Sequence, residues 1–337
     1  MKKRNNLYFW ASDIRTNSGE GLLANQFLSD IKIYYKNFNL ININKYNGNY
    51  QTFYSKYFLN FFGAVKLWYY YWSGYKIMYI NYLPIWNFLI FLILPPTTIL
   101  GPITGSLLYN RQSLLNYFRR GILLNILKNV SLYIIFLRYK KILFSTELLK
   151  SSIKKNIIKN CYFNYVLQTF IGFADKHYKK NIDFLIYHRL HSNKNNKIIE
   201  FFIRSTLDKN FRIVVIGDPL NYEHINNMGY VSRNKIKSLL GRTKYTFGSS
   251  ENLYTLFVLD AISKDVIIFY DKKLKIFNTH IKYHKLRAVD FDNNQKFLKF
   301  VMNNTNHLQK SSTINYQKKI SYAGYFNECT SKQPRNK

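Results

Sequence analysis

The sequence predicts an α/β protein with two domains, each built on a parallel sheet. Short apolar runs alternate with segments of helical periodicity along most of the 337 residues, which is typical of parallel α/β sheets. The pattern restarts near residue 180, and a chain of this length is expected to form about two domains. Hydrophobic residues make up 47% of the chain, which is enough for two cores.

The first half opens with a strand, a polar loop that contains glycine, and a helix. Its predicted strands are Asn6–Ala11, Lys76–Tyr82, Lys141–Thr146 and Asn164–Thr169, and Ile99–Ser106 is predicted as a strand end with a tight turn. The loop Ser12–Gly21 leads into apolar residues at helical spacing, which are Leu22, Leu23, Phe27 and Leu28. This strand–loop–helix order is the opening of a Rossmann-type unit.

The second half repeats the alternation. Its predicted strands are Asp183–Tyr187, Phe211–Ile216, Tyr245–Phe247 and Val266–Phe269. Its predicted helices are Asn195–Arg204, a helix after Ser232, Leu253–Ala261 and Asn293–Met302. We expect domains over 1–175 and 176–303. Residues 304–337 are polar and weakly periodic, which predicts a loose tail, and a return of the last helix to the first domain stays open.

The charge and the cysteine content restrict the function. Lys and Arg number 50 and Asp and Glu 17, a net charge of +33, which implies an anionic partner such as nucleic acid, a phosphorylated ligand or an acidic membrane. Cys161 and Cys329 are too few for a disulfide framework or a four-cysteine zinc site. After the basic start, Asp13, Arg15 and Glu20 interrupt any secretory signal. We therefore expect a cytoplasmic protein.

A basic loop opens the second domain. Arg189 and Lys194 lie five residues apart between a predicted strand and a predicted helix. Two cations beside a helix N-terminus can hold a diphosphate from both sides. The alternative is a solvated basic loop in a lysine-rich chain.

A second polar segment, Gly248–Tyr254, follows the strand Tyr245–Phe247. In one interpretation Ser249 or Ser250 caps a helix that has Glu251 in its first turn. In the other, the N–H groups of that helix bind phosphate, while the carboxylates of Glu251 and Asp260 bind sugar hydroxyls.

Together these residues resemble the GT-B glycosyltransferases, specifically the retaining group 1 or family 4 enzymes of bacterial surface polysaccharide synthesis. The resemblance implies two Rossmann-like domains that face a cleft. It implies that Arg189 and Lys194 bind the donor diphosphate, that Glu251 contacts the transferred sugar, and that Asp260 contacts the ribose. This chain departs from the family pattern in two places. His188 stands where the family has glycine, and eight residues instead of seven separate Glu251 from Asp260, which is not a glutamate.

The resemblance extends over about residues 7–303. It implies an acceptor-binding first domain and a second domain that binds a nucleotide sugar. The strand Val214–Gly217 and the loop Gly229–Ser232 are similar to the family's nucleotide pocket, and Ser12–Gly21 is similar to its N-terminal glycine loop. The implied binding residues are Gly19, Gly21, Gly217, Tyr230, Val231, Ser250, Asn252, Leu253 and Asp260.

The acidic residues bear on metal use and on stereochemistry. Asp290-Phe291-Asp292 has the form of the metal signature of the other glycosyltransferase fold, but an Asp cap of the helix Asn293–Met302 is the preferred interpretation. We therefore expect neither a metal nor a cofactor, with the nucleotide sugar as substrate. No Asp or Glu lies between Asp30 and Glu147, so the first domain offers few general bases. A retaining enzyme of this class can use the departing diphosphate instead.

The segment Arg111–Lys159 holds eleven Lys or Arg and one acid, interleaved with apolar residues. It predicts either solvated helix faces or a cationic surface on an anionic cytoplasmic leaflet, where lipid-linked acceptors reside. The apolar stretch Ile122–Phe144 contains four cations and is expected to be buried or interfacial instead of membrane-spanning.

The predicted function is transfer of a sugar, with retention, from a nucleotide sugar to a saccharide or lipid-linked acceptor. The location is cytoplasmic, with a peripheral position on the inner face of the plasma membrane as an option. Nucleic-acid binding is not expected, because the sequence shows no such motif. The alternative is a non-enzymatic basic protein that binds RNA or membrane.

Overall fold

The chain folds into two compact units in the computed structural model. The described residues are 6–14, 18–35, 37–41, 53–80, 83–105, 117–169, 179–190, 196–249, 252–274, 283–305 and 321–330. The N-terminal unit combines Met1–Thr169 with Ser321–Lys337, and the C-terminal unit is Phe170–Ile320. The domain boundary expected at residue 175 lies outside the described residues.

Parallel sheets form the centre of both units. The strands of the N-terminal unit are β1 (Asn6–Ala11), β2 (Asn37–Leu40), β3 (Lys76–Ile80), β4 (Ile99–Leu100), β5 (Ile142–Leu143) and β6 (Cys161–Tyr162). Its main sheet has the order β2-β1-β3-β4, and β5 pairs with β6. The strands of the C-terminal unit are β7 (Ile182–His188), β8 (Ile213–Gly217), β9 (Ile225–Asn227), β10 (Thr243–Phe247), β11 (Ile267–Asp271) and β12 (Leu286–Val289). They form one sheet in the order β12-β11-β10-β7-β8-β9.

Helices lie between most pairs of successive strands, and two helices follow β12. They are α1 (Gly19–Lys32), α2 (Phe53–Trp72), α3 (Phe88–Ile93), α4 (Leu124–Arg138), α5 (Lys155–Ile158), α6 (Asn196–Arg204), α7 (Arg233–Gly241), α8 (Leu256–Ser263), α9 (Asn294–Thr305) and α10 (Ala323–Thr330). A π-helical turn over Tyr117–Leu123 leads into α4. The predicted α/β class with parallel sheets is confirmed.

Each unit has its own apolar core. In the N-terminal unit Trp10, Leu67 and Tyr79 belong to a core that the helices α2, α3 and α4 share with the sheet. In the C-terminal unit Phe184 and Phe247 stack at 5.8 Å between ring centroids in a core with α6 and α9. Continuous apolar strands are expected where helices cover both faces of a parallel sheet.

Two predicted elements differ from the structure. Asn164–Thr169, predicted as a strand, is a 3-10 helix over Tyr165–Thr169. Asn164 has a φ of +63°, and Thr169 Oγ1 donates to the Val166 carbonyl at 2.6 Å. A left-handed residue followed by this short-range bond bends the backbone and prevents an extended conformation.

Part of the predicted loose tail is the helix α10, which belongs to the N-terminal unit. Tyr325 and Phe326 pack against Phe27 of α1, with ring centroids 6.3 and 5.6 Å away. Tyr322 donates a hydrogen bond to the carbonyl of Phe163 at 2.7 Å. Three aromatic side chains at helical spacing therefore hold this segment on the first core.

One helix, Gly121–Arg138, is long and apolar enough to cross a membrane by length and composition alone, and 22% of that segment is buried inside the protein.

Candidate functional site

The strand order of the C-terminal sheet defines where a ligand is expected. From β7 the chain builds outward through β8 and β9, then crosses to the other side and continues through β10, β11 and β12. This is the order of a doubly wound Rossmann sheet, and the direction reverses between β7 and β10. Ligands of such sheets bind at the carboxyl ends of the strands beside the reversal.

The strand register brings three strand ends together at His188. Leu185 of β7 pairs with Thr246 of β10, and the same register continued by three residues places Ser249 beside His188. On the other side His188 pairs with Gly217, the last residue of β8. The loops that carry Arg189, Asp218 and the Gly248 segment therefore leave the sheet side by side. The described residues of the two segments predicted for phosphate binding, Arg189 and Gly248–Ser249, lie at the reversal point.

Gly217 permits the close approach of β7 and β8 at this edge. Its φ is +97°, and a Cβ atom built on it would lie 2.1 Å from the backbone oxygen of His188. The Gly217 N–H donates to the carbonyl of Gly229 at 2.9 Å. A side chain is excluded here by both the backbone conformation and the space.

Asp218 connects the two loops that flank it. Its carboxylate accepts a hydrogen bond from the Tyr230 hydroxyl at 2.6 Å and from the Leu190 N–H at 2.6 Å. These two donors, with Tyr230 having the larger effect, lower the pKa of the Asp218 carboxyl, because both bonds favour its charged form. The His188 imidazole lies 2.8 Å from the Asp218 backbone oxygen. Asp218 thus orders the backbone that carries Arg189.

The predicted phosphate clamp is described in part. Arg189 is exposed directly after β7, at the reversal point. Lys194 lies outside the described residues, as do Ser250 and Glu251 of the second segment. Their predicted roles on the diphosphate and on the transferred sugar stay predictions.

The helix after the Gly248 segment begins later than the sequence predicted. Its N-cap is Thr255, whose Oγ1 accepts from the Val258 N–H at 3.4 Å, so the interpretation in which Ser249 or Ser250 caps the helix was wrong. Asn252 Oδ1 instead accepts from the Tyr254 N–H at 2.9 Å in a turn. Leu253 is fully buried and anchors this turn, so any contact it makes with a ligand would come from its backbone.

The first turn of α8 reaches the end of β7. The ring of Phe257 in α8 lies 5.5 Å from the ring of Tyr187, the residue before His188. The positive end of the α8 dipole therefore lies on the same edge of the sheet as Arg189.

Asp260, predicted as the ribose contact, forms a buried ion pair. Its two oxygens accept from Nε and Nη2 of Arg233, each at 2.8 Å. Lys237 Nζ lies 3.8 Å away, and only 4% of the Asp260 side chain is exposed. This pair joins α7 to α8. The ribose role stays a prediction, and it requires an oxygen that already accepts from Arg233.

Tyr230 and Val231, predicted in the nucleotide pocket, lie in the loop between β9 and α7. Tyr230 is 70% exposed and its hydroxyl is held by Asp218, while Val231 is half-buried. This loop reaches the same strand ends, because the Gly229 carbonyl accepts from Gly217.

The glycines of the N-terminal loop lie in the first turn of α1. Ser18 caps this helix by accepting from the Gly21 N–H at 2.9 Å, and it donates to Asp13 at 2.6 Å. Gly19 begins the helix and Gly21 is buried. The Gly21 N–H is thus used by the cap, which leaves Gly19 as the glycine placed for a backbone approach.

The Asp290-Phe291-Asp292 segment is a lysine-paired turn. The cap of α9 is Asn293, whose Oδ1 accepts from the Lys296 N–H at 3.0 Å, so the prediction of an Asp cap was wrong. Asp290 pairs with Lys272 at 2.7 Å and Asp292 pairs with Lys273. Within the described ranges no group of three or more His, Cys, Asp or Glu side chains could hold a metal ion.

Two residues of this region were missed by the sequence analysis. Asp218 had a usable signal, because a Gly-Asp pair directly after a continuous apolar strand places a carboxylate at the strand end. Arg233 had none, since a single arginine after a helix cap is indistinguishable from the many other cations of this chain.

The comparisons with known proteins concern the fold. No protein-family model and no curated protein sequence matches the chain. The MnaA–UDP co-structure from S. aureus is similar over 88% of this chain and 87% of that chain, with 9% identity and a TM-score of 0.50. A glycosyltransferase from Rickettsia africae covers 89% and 88% at 11% identity and a TM-score of 0.47. The UDP-GlcNAc 2-epimerase from Methanocaldococcus jannaschii covers 93% and 94% at 10% identity and a TM-score of 0.44.

The strand order, the division of the chain and the likeness to MnaA agree on the architecture. Each unit has a parallel sheet with helical crossovers, and the C-terminal unit has the full doubly wound order. The chain therefore has the GT-B fold, with two Rossmann-like units.

Proposed function

We propose that this protein is a glycosyltransferase that moves a sugar from a nucleotide sugar to a saccharide or lipid-linked acceptor, with retention, in surface polysaccharide assembly. The observation that supports it best is the convergence of Arg189, Asp218 and the α8 N-terminus on the reversal point of the C-terminal sheet. A cation, a helix dipole and closely approaching backbone suit a diphosphate. The spacing of Arg189 and Lys194, and the presence of Glu251 and Asp260 further along the chain, support sugar transfer over other reactions at this edge of the sheet.

In the proposed reaction the residues of this chain stabilise the leaving group. Arg189 and Lys194 bind the donor diphosphate, so that negative charge is neutralised as the bond from the anomeric carbon to the phosphate oxygen breaks. The acceptor oxygen bonds to the anomeric carbon on the same face, and its proton passes to the departing diphosphate. Glu251 orients the transferred sugar through its hydroxyls. The reaction needs no divalent ion in this proposal.

Arg189→Ala is expected to weaken donor binding and transfer by about one to two orders of magnitude, because a charged hydrogen bond contributes roughly 1.5–3 kcal/mol. Donor binding is measured by thermal shift, first with UDP and UDP-sugars and then with other nucleotide sugars. Transfer is followed by mass spectrometry with and without EDTA. At a ligand concentration of about 100 Kd the wild type should gain about 2.7 kcal/mol of stability.

Arg212→Ala is the matched control, since Arg212 is exposed before β8, at the opposite edge of the same sheet. It should bind the donor like the wild type. If Arg189→Ala binds the donor as tightly as the wild type, the assignment of Arg189 to diphosphate binding is wrong. Loss of transfer in EDTA would remove the metal-free mechanism. Conversion of the donor to its 2-epimer without transfer would favour an epimerase.

Retention predicts an α-linked product from an α-linked donor, because the acceptor attacks from the face that the diphosphate leaves. NMR of the anomeric proton of the product decides this. A β-linked product would mean inversion, and Asp13 or Glu20 near the N-terminal glycine loop would then become the bases to test.

A further inference from the structure

The helix α4 exposes an apolar face although part of its buried side is polar. The buried side combines Leu132 and Ile135 with Lys128 and Ser131, which are 9% and 0% exposed. Its opposite side exposes an apolar set, which we name the outer stripe and which consists of Ile126 (54%), Val130 (39%), Tyr133 (67%) and Leu137 (68%). Spacings of four, three and four residues place these side chains on one face of a helix. A helix in contact with water alone would show the opposite arrangement.

Internal contacts fix which side of α4 faces outward. Lys128 Nζ donates to Ser152 Oγ at 3.2 Å. The guanidinium of Arg138 donates to carbonyl oxygens of α3 and of the residue after it, which are those of Phe91, Leu92 and Leu94. Two cations that the sequence suggested for a basic surface are thus bonded inside the unit. A helix held in this way along one side lies on the unit, with the outer stripe pointing away from it.

The helices beside α4 continue this apolar character. Leu92 of α3, 53% exposed, lies next to Arg138 through the bond described above. The Trp68 indole of α2 donates to the Ile93 carbonyl at 2.6 Å, which joins α2 to α3. The outward side of α2 exposes Phe62 (39%), Val65 (65%), Tyr69 (67%) and Trp72 (76%). Three consecutively packed helices therefore all present apolar side chains to the outside.

The part of the chain that contains α2, α3 and α4 carries charge of one sign. From residue 31 to residue 146 the sequence has thirteen Lys or Arg and no Asp or Glu. Arg119 and Arg120 precede α4, and Lys140 is exposed just after it. A second copy docking on this face would bring these cations against the same cations, which is unfavourable. An anionic partner satisfies both the charge and the apolar stripe.

We propose that the outer stripe of α4, together with the exposed aromatic residues of α2, docks on an anionic lipid bilayer. The stripe enters the boundary between headgroups and acyl chains, Trp72 and Tyr133 lie at headgroup depth, and the flanking cations contact anionic headgroups. The helix lies along the surface and does not cross it. This inference is independent of the proposed transferase activity.

The test is co-sedimentation of the full chain with phosphatidylcholine vesicles, with and without phosphatidylglycerol, at increasing salt. The combined variant Ile126→Ser, Val130→Ser, Leu137→Ser should lower the partition coefficient by about tenfold or more, because buried methylene groups contribute strongly to membrane affinity. Ile33→Ser is the control, since Ile33 is 81% exposed in the same unit but lies outside these three helices. It should bind like the wild type, and salt should weaken binding.

Several results would overturn the proposal. These are unchanged binding by the triple variant, an equal loss in Ile33→Ser, equal binding to vesicles without phosphatidylglycerol, or tighter binding to RNA than to lipid. Retention on vesicles after alkaline carbonate would mean a spanning helix. A lipid-free dimer that the triple variant dissociates, seen by analytical ultracentrifugation, would assign the face to a second copy. Circular dichroism of the triple variant verifies that it is folded.

Discussion

Gly217→Ala is expected to destabilise the C-terminal unit by about 3–5 kcal/mol, from backbone strain together with overpacking. The new Cβ would lie 2.1 Å from the backbone oxygen of His188, and this oxygen is held in place because it accepts from the Asp218 N–H at 3.0 Å. The ends of β7 and β8 must separate to relieve the clash. This separation would displace both Arg189 and Asp218, so nucleotide binding should be lost with stability.

Gly229→Ala separates the effect of backbone strain from the effect of overpacking. Gly229 also has a positive φ, +63°, but no atom lies within 4 Å of its added Cβ. The expected cost is only the conformational penalty of about 1 kcal/mol. Urea unfolding of the full chain measures both variants, and hydrogen exchange of peptides from β7 and β8 locates the change. A similar loss in the two variants would mean that the close approach to His188 contributes nothing.

Asp260→Leu is the second substitution with a large expected effect. It should lower the free energy of unfolding by about 3 kcal/mol, because a buried ion pair that loses one partner leaves an uncompensated charge. We expect a loss of stability at the lower end of the range typical of broken buried ion pairs, since the Arg233 side chain is 17% exposed and can reach water. Asp292→Leu is the control, because Asp292 and its partner Lys273 are 60% and 58% exposed. It should change stability only slightly. The measurement is again urea unfolding, and equal losses would contradict the prediction.

The double variant Arg233→Met, Asp260→Leu tests the ribose role of Asp260. Apolar side chains of similar size can replace a buried ion pair with little loss, so most of the stability should return. Isothermal titration with the nucleotide then distinguishes the two roles. Wild-type affinity in a stable double variant would make Asp260 purely structural, and lost affinity would support the ribose contact.

The sequence was sufficient for the fold class because central strands of parallel sheets are buried on both faces. β1, β7 and β8 are therefore short apolar runs that are recognisable without knowledge of the elements that pack on them. Their alternation with helices predicts the α/β class. Four strands escaped prediction. β6 has only two residues, while β2, β9 and β12 are edge strands of the two larger sheets. The sequences of these edge strands, Asn-Phe-Asn-Leu, Ile-Asn-Asn and Leu-Arg-Ala-Val, contain polar residues, since an edge is partly open to water and carries no continuous apolar signal.

The helix caps show a related limit. Ser249 and Ser250 offered the same hydroxyl chemistry as Thr255, and Asp292 the same cap preference as Asn293. Which of these residues caps the helix depends on how far the end of the preceding strand lies from the start of that helix. Because Leu253 and Tyr254 are buried, at 0% and 5% exposed, the cap is Thr255 and α8 begins at Leu256, three residues after the predicted start at Leu253. Local propensity contains no information on that packing.

The sequence by itself determined the residue types of the candidate site and their position after predicted strands. It identified Arg189 and the Gly248 segment as candidates for phosphate binding because cations and small polar residues follow apolar runs at both places. Only the tertiary structure decided which of them meet, because contact depends on the strand order, with β7 between β8 and β10. It also decided the partners of Asp218 and Asp260 and the outward direction of the outer stripe, since these follow from long-range packing that local periodicity does not contain.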